Sequence, residues 1–166
     1  MPEQYAKDQC IAPEEIAVVA RSLVLPPAIL IACCATESSL DAGQLTRFEP
    51  NFRWFTPGNH TPEERRGQAT SWGIGHVMGA TLRELGYGGK FADLLTDHKQ
   101  AAAWAGRYLK KCYARAVLRD LHVLAKDHWE MAIGAYNTGG FTTFPQKHIE
   151  RFRWWRERAH RFGFPE

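Results

Sequence analysis

The chain has 166 residues, 45% of them apolar and 23% charged, the size and balance of one soluble domain that buries a core without disulfides or metals. A formal charge of +3 and a pI near 8.7 fall short of the concentrated excess of a nucleic-acid binder, so no nucleic-acid partner is expected. The four cysteines (Cys10, Cys33, Cys34, Cys112) form no CxxC and no zinc-finger spacing, which argues against a disulfide framework or a structural zinc site.

In chain order, residues 1–8 are polar and carry no apolar core, so no secretory signal is expected there. Ala12-Pro13-Glu14-Glu15 reads as a helix start, with the helix running to about residue 24. Leu25-Pro26-Pro27 breaks it and opens a second helix over 27–38 that is apolar all round, as a helix in the middle of a domain would be. Arg21, Pro26 and Pro27 interrupt the most hydrophobic stretch, so stable membrane insertion is not expected. Residues 41–59 have no steady period and read as a long ordered loop. Thr61-Pro62-Glu63-Glu64 is another helix start. The pattern predicts a helix over 71–85, with Gly73 and Gly75 at its beginning, and a short helical turn over 91–95. Asp97 is a good N-cap for a long helix to about residue 117. Asp127 or His128 starts a helix through Tyr136, stopped by Gly139-Gly140, and a last amphipathic helix covers 144–161. No segment alternates with period two. The expected fold is all-α, as a single domain over 1–166.

Three short segments carry candidate chemistry. In Ala35-Thr36-Glu37-Ser38-Ser39, Glu37 closes an apolar helix. A buried carboxylate is costly when ionised, and a carboxyl that keeps its proton near neutrality serves as a general acid. The plainer reading is a Glu that reaches solvent. In Ser71-Trp72-Gly73-Ile74-Gly75-His76, two glycines suggest close approach of backbone and ligand, or simply a turn. In Ala135-Tyr136-Asn137-Thr138-Gly139-Gly140, two hydrogen-bonding side chains meet at a helix end, or a core Tyr is followed by a cap. The seven His, His76 included, have no i, i+4 His partner, so no metal and no cofactor is expected. The basic stretch 148–158 reads as a solvated helix face, or as an attraction to an anionic polymer such as the cell wall.

Taken in order across residues 12–160, Glu-Ser-Ser, Ser-x-Gly-Ile and Ala-Tyr-Asn-x-Gly resemble the soluble lytic transglycosylase domain, related to goose-type lysozyme. Arg47-Phe48-Glu49-Pro50-Asn51-Phe52 is similar to a segment of one branch of these enzymes. The resemblance implies a lysozyme-like α domain, with a long loop after the catalytic-Glu helix, acting on peptidoglycan glycan strands. It implies Glu37 as general acid and base, Tyr136 as its hydrogen-bonding or positioning partner, and Asn137 as a support of the cleft. Ser71, Gly73 and His76 are then expected along the sugar groove. Gly75-His76 departs from the family's Met-Gln, which puts substrate contacts there in doubt. A muramidase on the same fold would call on a second carboxylate, Glu49 or Asp41. A non-catalytic cell-wall or assembly module is the reading from another class. A monomer is expected. Without a visible signal, delivery to the wall would fall to phage lysis or secretion machinery, or to a larger parent protein.

Overall fold

The computed structural model describes residues 11–119 and 127–166. The cysteine at position 10 and the polar stretch 1–8 lie outside them. The described residues form α1 (Pro13–Ser22), α2 (Pro27–Ser38), β1 (Thr46–Phe48), α3 (Pro62–Gln68), β2 (Thr70–Trp72), β3 (Val77–Met78), α4 (Gly79–Glu84), a 3-10 turn (Phe91–Leu95), α5 (His98–Arg119), α6 (His128–Thr138) and α7 (Gln146–Arg161). The chain is mostly helical, with one small antiparallel sheet.

The apolar-all-round character of α2 follows from its position. Every residue from Pro27 to Thr36 is buried, and the helix packs against α7, α1 and α5. Pro26 and Pro27 occupy the N-cap and first turn, where a missing N–H costs nothing. The helix stops in two consecutive left-handed residues, Ser39 (φ 59°) and Leu40 (φ 58°), so the chain turns sharply just past Glu37. Thr36 and Ser38 return their hydroxyls to the carbonyls of Ala32 (2.7 Å) and Cys34 (3.1 Å), so neither competes with Glu37 for a partner.

Side-chain caps hold the expected helix starts. Thr61 Oγ1 accepts from Glu64 N (3.2 Å), Asp97 Oδ1 from Gln100 N (2.8 Å) and Asp127 Oδ1 from Glu130 N (3.0 Å). Helix α1 ends at Ser22, two residues before the expected end, because Val24 turns left-handed at φ 54°.

The stretch 71–85 is not one helix. It is a hairpin followed by a short helix: Ser71 pairs with Met78 and Trp72 with Val77, and α4 begins only at Gly79. On its other edge β2 pairs with β1, Thr46 opposite Trp72 and Phe48 opposite Thr70. These strands have two or three residues each, too short to print a period of two on the sequence. The sheet order is β1-β2-β3, and the 3-10 turn, α4 and α5 pack around it.

Much of the basic charge of α7 is paired internally. Arg153 makes a bidentate contact with buried Glu130 (2.6 Å twice), and Arg156 bridges Asp127 and Glu166 (2.5 Å each). No helix of the described residues is long and apolar enough to cross a membrane.

Candidate active site

A cleft of about 730 Å³ opens where the loop after β1, the β2–β3 hairpin, α4, α5 and the end of α6 converge. This is within the usual range for a ligand site. Glu37 lines it from the last turn of α2, and Glu49, His76, and Tyr136 with Asn137 line it from three other segments. The segment Arg47–Phe52 and the exposed ring of Trp54 form one wall.

Glu37 is the best-positioned acid of the cleft. Its side chain is 8% exposed, and Oε1 lies 3.0 Å from Nε2 of His148 on α7. Neither atom makes an aligned hydrogen bond to a described residue, so the contact is a close approach of carboxyl and imidazole rather than a directed bond. Glu37 Oε1 is therefore buried beside the His148 imidazole, with Cys33, Cys34 and Tyr136 also nearby, and it makes no directed hydrogen bond to a described residue.

Tyr136 does not donate to Glu37. Its single hydroxyl proton goes to the Gly75 carbonyl at 2.6 Å, across 61 positions of sequence. Of the two roles expected of it, hydrogen-bonding or positioning Glu37, this corrects the first. Its ring contacts Tyr108 (centroids 4.7 Å apart), and burial, then the neighbouring Cys33 and Glu37, push its hydroxyl well above the usual phenol range. Tyr136 is thus a neutral wall residue that ties α6 to the hairpin turn.

Gly75 explains itself by packing. A Cβ there would stand 2.4 Å from the Ala105 Cβ and 2.9 Å from the Tyr136 hydroxyl. No larger side chain fits between the hairpin and α5. His76 follows in the left-handed region (φ 45°), closes the turn by donating its N–H to Gly73 O (3.0 Å), and places Nε2 2.5 Å from the Gln44 carbonyl.

Three expected site residues lie elsewhere. Ser71 is 1% exposed in the middle strand and gives its hydroxyl to Arg47 O (3.2 Å). Gly73 (φ 70°) is pressed against Ala101 and the Leu94 carbonyl, and serves the turn. Neither lines the cleft, which corrects their expected place on the groove. Asp41 accepts from Gly43 N (2.8 Å) and Gln44 Nε2 (3.2 Å), capping a tight turn outside the cleft. Of the two second-carboxylate candidates only Glu49 lines it, paired with Arg47 at 2.7 Å.

Sequence reasoning missed His148. It begins an inward stripe on α7, followed at helical spacing by Phe152, Trp155 and Ala159. A histidine leading an otherwise apolar stripe is the signal that marks it. Among the described residues no group of three or more His, Cys, Asp or Glu could hold a metal ion. No protein-family model, curated protein or solved structure matches this chain.

Proposed function

We propose that this protein cleaves peptidoglycan glycan strands as a lytic transglycosylase on a lysozyme-like helical fold. The observation that carries the reading is the Glu37 carboxyl: nearly buried, at the edge of a cleft, and with Oε1 outside any directed hydrogen bond to a described residue. Stability offers no reason for it. A carboxylate in the last turn of a helix opposes the helix dipole, and burial adds a desolvation cost. Residues that break local rules in this way concentrate at functional sites.

In the proposed reaction Glu37 gives its proton to the glycosidic oxygen between N-acetylmuramic acid and N-acetylglucosamine as that bond breaks. The resulting carboxylate then takes the proton of the muramic acid 6-hydroxyl, whose oxygen closes on the anomeric carbon. The product is a 1,6-anhydro ring, Glu37 ends protonated as it began, and no water is consumed. One carboxyl suffices, unlike the usual pair of a glycosidase. Acid–base assistance of this kind contributes roughly 100- to 10,000-fold.

The presence of Glu49 on the same cleft favours one second reading, a muramidase that holds water with this carboxylate. Its pairing with Arg47 argues for a structural role instead. Mass spectrometry of muropeptides released from purified peptidoglycan decides among the readings. The expected result is 1,6-anhydro-muramic acid products, lost in Glu37→Gln by at least 100-fold. Products heavier by one water would establish the muramidase, and no release by the unsubstituted protein would leave a non-catalytic wall module.

A further inference from the structure

Resting on the peptidoglycan reading, we propose that Arg115 binds a carboxylate of the substrate strand, away from the bond that is cleaved. Charged side chains lining the cleft are matched in pairs: Arg47 with Glu49 at 2.7 Å, Lys111 with Glu84 at 3.9 Å, and Glu37 beside His148 at 3.0 Å. Arg115 lines the same cleft, is half-buried, and has no carboxylate partner among the described residues.

Its guanidinium is already held in place. It lies over the Phe141 ring (5.3 Å to the centroid), which Arg119 also covers at 5.0 Å. A cation–π contact uses none of the guanidinium N–H donors, which stay available in the fork geometry that matches a planar carboxylate. Tyr108, Lys111 and Arg115 share one stripe of α5, all three on the cleft. At 1.5 Å rise per residue, Arg115 stands about 10 Å along the helix from Tyr108, whose ring contacts Tyr136. The backbone of Arg115 thus sits about two turns further along the same cleft wall than Tyr108.

Two acidic groups of the polymer have this chemistry. One is the lactyl carboxylate of muramic acid, free on peptide-stripped strands and amide-bonded on peptide-bearing ones. The other is a carboxylate of the stem peptide. Calorimetry in the Glu37→Gln background separates them, using peptide-stripped glycan, peptide-bearing glycan and chitin oligosaccharides, which carry no carboxylate. Adding Arg115→Gln is expected to weaken binding of a carboxylate-bearing strand about 10- to 100-fold while leaving chitin oligosaccharides within two-fold. Loss on stripped strands assigns the lactyl group, and loss confined to peptide-bearing strands assigns the stem. Arg115→Lys, which keeps charge without the fork, is expected to fall between, and unchanged melting temperatures rule out misfolding as the cause. Equal binding of every strand with and without Arg115, or an equal loss on chitin oligosaccharides, overturns the proposal alone. Failure of every glycan to bind with Arg115 intact overturns the peptidoglycan reading and this proposal with it.

Discussion

At the scale of single residues, Gly75, where the chain departs from the pattern it resembles, has a steric explanation. Gly75 is fixed by α5 on one side and by the Tyr136 hydroxyl on the other. Gly75→Ala adds one methyl group in a space that has none to give. The expected cost is about 1–3 kcal/mol from overpacking, or roughly 3–10 °C in melting temperature for a chain of this size. Because relief requires Tyr136 to move, muropeptide release is expected to fall further than the loss of folded protein accounts for. A variant with unchanged melting temperature and unchanged release would show that this contact holds nothing in place. The buried thiols nearby are a contrasting case. Burial, first of all causes, keeps those of Cys33 and Cys34 well above the usual range and pushes Cys112 up to about 11. They are core volume, and nothing in their surroundings activates them.

At the scale of elements, the cleft loop depends on a network that begins in α3. Gln68, 0% exposed, accepts from Thr56 N (2.9 Å) and donates to Glu64 (3.1 Å). Glu64 in turn accepts two bonds from Arg83 of α4, at 2.8 and 2.9 Å. Arg83 also donates to the carbonyls of Tyr87 (2.6 Å) and Gly89 (2.9 Å), and stacks over Phe91 at 4.0 Å. Arg83→Met leaves a partly buried carboxylate and two carbonyls without their donor. Urea unfolding is expected to show a loss of about 2–3 kcal/mol, with Arg83→Lys recovering only part of it because the fork is lost. A loss below about 0.5 kcal/mol would mean that the loop is held by other contacts. This network also shows what the sequence hides. Helix starts were legible because Thr61, Asp97 and Asp127 cap locally, within three residues. The centre of the fold was legible because α2 is apolar on every face. The sheet was not, since two- and three-residue strands are defined by partners up to 26 positions away, as Thr46 is by Trp72. The same limit applied to the site. Glu37 stands out because it breaks the apolar run of its own helix, whereas the stripe that His148 leads does not reveal that Glu37 faces it, and the Arg115 contact with Phe141 exists only in the fold.

At the scale of the whole molecule, the last residues close the structure back onto the helix that carries Glu37. The Pro165 carbonyl accepts the Ala28 N–H at 3.1 Å, satisfying a free donor in the first turn of α2. Glu166 fixes that return through Arg156, which also holds Asp127 at the start of α6, and through His160 at 2.8 Å. Hydrogen bonds from Arg156, then from His160, lower the Glu166 carboxyl to about 2, and Arg83 likewise lowers Glu64. A carboxyl depressed in the folded state binds fewer protons there than in the unfolded chain. Its contribution is therefore complete above the unfolded value near 4.5 and is lost as pH falls from there toward 2. Glu166 is about half exposed, so solvent screening limits its share to at most about 1 kcal/mol. Melting temperatures of the protein and of Glu166→Gln, taken from pH 7 to pH 2.5, separate this share from general acid unfolding. The variant is expected to melt a few degrees lower at pH 6–7, with the gap closing as the pH drops below about 4. A gap that persists unchanged to the lowest pH would show that the Gln costs stability by shape rather than by charge. No gap at neutral pH would mean that the Ala28–Pro165 bond closes α2 without help from the Arg156 bridge.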